Sequence, residues 1–152
     1  MNHKELMIGD WILYTTKAWK VIDLMSCGSH YPMTIGKDSF ERCREDGVIF
    51  LDEKDIATAL PLLISEQMFS ANGFRRHDDP NGDFAYLLDV EEHELTAYIY
   101  DIPNVWRFQI QRGPEASVSI KARYVHQLQH AMRLMGLHDM ANNFKIQEVS
   151  DQ

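Results

Sequence analysis

The strongest constraint on this chain is the brevity of the links between β-rich runs in its second half. Phe84–Val90, Glu94–Asp101, Val105–Arg112 and Ala116–Ala122 are separated only by Glu91-Glu92-His93, Ile102-Pro103-Asn104 and Gly113-Pro114-Glu115. A parallel crossover needs a dozen or more residues, so such short links force consecutive strands into antiparallel hairpins. Trp106, Phe108 and Ile110 alternate with Arg107, Gln109 and Gln111, the pattern of a sheet with one buried face. That face needs a cover. The spacing of Val125, Leu128, Met132 and Met135 predicts a helix over Arg123 to Met135, stopped by Gly136. A four-stranded antiparallel meander backed by helix is therefore expected.

Ahead of the meander, Ser65 is placed to cap a helix that carries Met68 and Phe69 inward and stops at Asn72-Gly73, followed by the apolar Phe74. HDDPNGD at 77–83 then reads as a turn joining this helix to the first strand. Nearer the N-terminus, MIGDWILYT (7–15) and WKVIDLM (19–25) read as a hairpin about Thr16-Lys17-Ala18. In it Ile8, Asp10, Ile12 and Tyr14 share one side, with Trp11 and Leu13 on the other. GVIFL at 47–51 reads as a further strand, while residues 26–46 are polar and irregular. Within them KDSFERCRED predicts a short helix capped by Asp38 or Ser39. The expected class is α+β. A small, curved β-barrel-like unit of the Src-homology-3-like type spans residues 1–62, and a helix, meander and helix span 63–152, the two packed together.

The succession of "IGDWILY…WKVIDL", "LPLLISEQMFSANGF" and a strand meander leading into "YVHQLQHAMRLMGL" resembles a family of uncharacterised small proteins. These come from prophage and mobile-element regions of anaerobic gut bacteria. The resemblance implies a cytoplasmic, phage-derived protein and offers no catalytic residue to carry over.

Bulk properties agree with a soluble chain. Of 152 residues, 45% are hydrophobic and 25% charged, ordinary values for a globular protein. The longest apolar run, Ala59 to Ile64, falls far short of the ~20 residues that span a bilayer. MNHKELMIGDW lacks the basic-then-apolar order of an export signal, so Cys27 and Cys43 are expected as free thiols in a reducing cytoplasm. The net charge of −8 has a local source: Asp78 to Asp101 holds eight acidic residues and no Lys or Arg. Such a surface repels a phosphate backbone and disfavours nucleic acid.

The motif candidates are weak. His126 and His130 lie four apart in H-Q-L-Q-H, one residue from the zinc-protease signature, but Gln127 stands where the general base belongs. At about 100° per residue both fall opposite the apolar stripe and beside Arg123 and Arg133, so they are expected at the surface. Asp79, Asn81 and Asp83 match the opening of a calcium loop, but Phe84 and Val90 occupy its glycine and glutamate positions. Cys27, His30 and Cys43 lack the paired spacing of a structural zinc site.

No catalytic motif is intact and no cofactor is expected. The preferred reading is a non-enzymatic interaction protein that binds another protein or self-assembles. Trp11, Tyr14, Trp19, Tyr98, Tyr100, Glu91, Glu92 and Glu94 are its candidate contact residues. The alternatives are a metal-dependent hydrolase using His126 and His130, and a nucleic-acid module built on Lys17, Lys20 and neighbouring aromatics.

Overall fold

A computed structural model describes residues 5–24, 31–37, 47–99 and 104–146. The anticipated helix in KDSFERCRED, together with Cys27, His30, Cys43 and Tyr100, lies outside the described residues. Among the described residues, two antiparallel five-stranded sheets and four helices make an α+β chain that divides into two compact units, 1–62 and 63–152. No helix among them is long and apolar enough to cross a membrane.

In the first unit the strands are β1 (Trp11–Tyr14), β2 (Lys17–Leu24), β3 (Met33–Gly36), β4 (Val48–Leu51) and β5 (Leu60–Pro61), in the order β4-β3-β2-β1-β5. The first hairpin is tighter than its sequence implies. Tyr14 pairs with Lys17, which leaves a two-residue loop, Thr15-Thr16, with φ of 50° and 67°. Positive φ at both positions gives the turn twist that matches paired strands. β1 also starts late: Gly9 turns the chain at φ 95°, and the buried Asp10 accepts a hydrogen bond from the Met7 amide at 2.8 Å. Ile8 is therefore exposed instead of sharing the face of Ile12.

The core of this unit gathers Leu6, Ile12, Val21, Met33, Ile35, Leu51, Ile56 and Ala59. Helix α1 (Glu53–Thr58) supplies Ile56, and its start is a reciprocal cap between Asp52 and Asp55. The sheet is not a closed barrel. Its edges β4 and β5 do not pair among the described residues, and β5 is two residues long and contains Pro61, which has no amide hydrogen to donate.

In the second unit β6 (Arg75–Asp78), β7 (Phe84–Val90), β8 (His93–Ile99), β9 (Trp106–Arg112) and β10 (Ala116–Ala122) form a sheet in which every strand pairs with its chain neighbour. β6 was not visible in the sequence, where HDDPNGD reads as joining helix to strand. The turn instead closes a β6–β7 hairpin, with Asp78 opposite Phe84. Arg75-Arg76-His77-Asp78 is exposed throughout, so no apolar alternation marks it; β7's backbone makes it a strand.

One face of this sheet is buried under α2 (Glu66–Ala71) and α3 (Val125–Leu134), and α4 (His138–Asn142) packs on α3. Phe69 is the centre: its ring lies 5.3 Å from Tyr86, 4.7 Å from Trp106 and 5.4 Å from Phe74. α2 and α3 end by the same device. Gly73 (φ 87°) and Gly136 (φ 82°) donate to Ser70 and Arg133, while Phe74 and Leu137 donate back to Phe69 and Met132. Each stop thus folds an apolar residue onto its own helix.

Gly73→Ala and Gly136→Ala should each destabilise by about 1–2 kcal/mol through left-handed backbone strain, since neither added methyl group meets a close neighbour. Phe69→Ala should cost about 3–5 kcal/mol. Chemical denaturation monitored by circular dichroism checks both.

Candidate functional site

Register decides what the uncovered face of the second sheet presents. Leu87, Thr96, Gln109 and Ser119 form one cross-strand row, flanked by the row Tyr98, Arg107 and Lys121 and by the row Asp89, Glu94, Gln111 and Ser117. Charge is therefore segregated, cationic toward Arg107 and Lys121 and anionic toward Asp89 and Glu94. Arg107 is anchored by an Nη1–H bond to Ser119 Oγ at 3.2 Å.

At the anionic end Asp89 stands directly opposite Glu94, and Val90 opposite His93, so the joining loop is the two residues Glu91-Glu92. Like charges directly opposed across a ladder are destabilising. Glu91 also holds φ at 54°, a conformation that favours Gly or Asn over Glu. Arg112 Nε reaches Glu92 at 3.1 Å, an exposed pair worth at most about 1 kcal/mol. These carboxylates, with His93, Gln111 and Gly113, line an open concavity of about 340 Å³.

His93 is the residue that sequence reasoning missed, because it was assigned to the turn. It is only 8% exposed, and its Nε2 lies 3.0 Å from the Met135 carbonyl at the end of α3. That oxygen can only accept, so Nε2 carries the hydrogen. Nδ1 is buried and has no hydrogen-bond partner among the described residues.

The H-Q-L-Q-H helix differs from expectation. His126 is buried at 7% exposure and stacks on Tyr124, the ring centroids 6.0 Å apart and the planes within 7°. His130 is half-buried, its ring 5.5 Å from that of His126. Val125, His126, Leu128, Gln129, Ala131 and Met132 are all buried, an arc of about 220° at 100° per residue. One apolar stripe could not reveal this, because a second layer, α4, packs on α3 and receives the Gln129 Nε2–H bond at the Ala141 carbonyl, 2.9 Å away. Gln127, in the general-base position, accepts from the Arg123 and Tyr124 amides at 2.8 and 3.0 Å and so closes the helix start. Among the described residues no three His, Cys, Asp or Glu side chains converge as metal ligands.

The other candidates are scattered. Trp11 is buried with Lys20 Nζ 5.1 Å from its ring centre, and Lys20 is itself only 5% exposed. Lys37 Nζ covers Trp19 at 4.4 Å and donates to the Ala18 carbonyl. Tyr14 is half-buried; burial, and then Asp55 beside it, push its hydroxyl above the usual phenol range. Tyr98 is half-buried on the open face, at the opposite end of β8 from Glu94. Among the described candidates, Glu91, Glu92 and Glu94 line one common surface.

The chain matches no family model, no curated protein and no solved structure.

Glu66 in the first turn of α2 ties the sheet to that helix, accepting from Tyr86 Oη at 2.6 Å and pairing with Arg76 at 3.1 Å. Burial first, and then Glu66, raise Tyr86 above its ordinary value of 10.0. A raised folded-state value means the unfolded chain releases this proton first as pH rises. The stabilisation is therefore intact below pH 10.0 and is lost as pH climbs through the folded-state value. Tyr86→Phe should show a shallower alkaline loss of stability than the parent, measured as melting temperature against pH.

Proposed function

We propose that this chain is a non-enzymatic interaction protein that binds a basic segment of another protein at the anionic end of its C-terminal sheet. The observation that carries the reading is the Asp89–Glu94 pairing, with Glu91 and Glu92 in the loop between them. Repulsion across the ladder and a left-handed Glu91 both oppose local stability, and a bound cationic segment relieves the repulsion. The mixed rim of Gln111 and Arg112 adds hydrogen-bonding capacity beside the carboxylates.

The resemblance to prophage and mobile-element proteins supports placing this role as an accessory one in a phage-derived system. The order β4-β3-β2-β1-β5, with one short helix before the last strand, supports reading the first unit as an opened Src-homology-3-like barrel. The chain-neighbour pairing of β7 to β10 supports reading the second as a meander backed by helices.

Pull-down from the native host, with partners identified by mass spectrometry, tests the function. The parent chain should retain a protein with a Lys/Arg-rich segment, and the Glu91→Gln/Glu92→Gln/Glu94→Gln variant should lose it. Retention by that variant would overturn the reading. Independently, Asp89→Asn should raise unfolding stability by roughly 0.2–1 kcal/mol, the reverse of what removing a useful surface charge does.

A further inference from the structure

Asn-Gly occurs twice in this chain, at Asn72-Gly73 and Asn81-Gly82, and the fold treats the two steps differently. Such a step is open to cyclisation, because glycine has no side chain to shield its amide nitrogen from the asparagine carboxamide. Asn72 follows α2 half-buried, and its carboxamide is held at both ends. Its Nδ2 donates to the Met68 and Lys145 carbonyls, each at 2.7 Å, and its Oδ1 accepts from the Lys145 amide at 2.8 Å.

Asn81 sits in the turn between β6 and β7, exposed together with Pro80, Gly82 and Asp83. Its Oδ1 accepts from the Asp83 amide at 3.2 Å, and its Nδ2 has no hydrogen-bond partner among the described residues. That single bond aids attack at Cγ, because the carboxamide oxygen takes up negative charge as a nucleophile adds to its carbon. The nitrogen that must leave is held by nothing. The nucleophile, the Gly82 amide, donates to the Asp79 carbonyl at 3.0 Å and has to release that bond. The Gly73 amide is tied in the same way, to Ser70 at 3.1 Å, and both glycines are left-handed, at φ 87° and 95°. The backbones of the two steps are therefore alike. Their side chains are not.

We infer that Asn81 is a site of spontaneous deamidation and that the fold suppresses the same reaction at Asn72. The Gly82 nitrogen gives up its proton to hydroxide and bonds to Asn81 Cγ. The Cγ–Nδ2 bond breaks, and Nδ2 leaves as ammonia with a proton taken from water. Water then opens the resulting succinimide at either carbonyl, leaving aspartate or isoaspartate at position 81, with nothing oxidised or reduced. Either product adds one negative charge to a turn that already carries Asp78, Asp79 and Asp83. Isoaspartate also places an extra carbon in the main chain, lengthening the turn that the Asp79 amide closes on the Asp83 carbonyl at 2.7 Å. β7 separates this turn from the acidic loop, so the modification and the capture of a basic partner fail separately.

Peptide mapping by mass spectrometry, on the full chain aged at neutral and at mildly alkaline pH, tests it. Asn81 should gain the mass of an amide-to-acid exchange, sooner at the higher pH, as a mixture of aspartate and isoaspartate. It should convert at least roughly tenfold faster than Asn72, whose three hydrogen bonds must break first. In concentrated guanidinium chloride the two sites should convert at similar rates, because each is then only an Asn-Gly step in an unfolded chain. Asn81→Gln, which must close a larger and slower ring, should leave position 81 unmodified over the same period. An Asn81 that stays intact in the folded chain while both sites convert in denaturant would overturn the inference. So would equal rates at Asn72 and Asn81 in the folded chain, or a product containing aspartate alone.

Discussion

The packing of Phe69 against Tyr86, Trp106 and Phe74 is the contact on which the C-terminal unit depends. It is where α2, β7 and β9 meet, so one side chain joins the helix that precedes the sheet to strands well separated along it. Its geometry also explains why the α2 stop must be a glycine. Only a left-handed turn at Gly73 brings Phe74 back against Phe69 and lets the Phe74 amide reach the Phe69 carbonyl at 3.0 Å. From that anchor the sheet extends strand by neighbouring strand, α3 completes its cover, and α4 packs on α3.

With one face so occupied, the chemistry of the sheet is left to its other face, its turns and its edges. These three regions differ in how far they obey local stability rules. The row through Thr96, Gln109 and Ser119 is a neutral, hydrogen-bonding surface. The Asp89–Glu94 pair and the Glu91 turn break two rules at once, like-charge opposition and a left-handed glutamate, within a few residues. β6 obeys a third, the protection of an edge strand by exposed charge. Departures confined to the loop, in a unit whose core and helix ends are regular, set this place apart from the remainder.

Legibility in the sequence followed the range of the interaction responsible. The β9 alternation, the Ser65 start and the Gly73 and Gly136 stops are encoded within a few residues and were readable from them. β6 was not, because Arg75-Arg76-His77-Asp78 owes its extended form to the backbone of β7. The Glu91-Glu92-His93 link is one residue shorter in the structure than its sequence implies, and both the Asp89–Glu94 opposition and the place of His93 beneath the turn follow from that one residue. Of the proposed contact residues, the three glutamates shared a surface, whereas Trp11 was drawn inward under Lys20.

The sequence by itself determined that β7, β8, β9 and β10 pair as antiparallel neighbours and where the flanking helices stop, because link length and left-handed glycines act locally. Only the tertiary structure decided which polar residues are enclosed and which charges meet. His126 and Gln129 lie beyond the apolar stripe of α3 and are nonetheless buried, Gln129 where α4 takes its hydrogen bond at the Ala141 carbonyl and His126 against the Tyr124 ring. A charge becomes a like-charge contact only through cross-strand register, and register depends on where each turn closes.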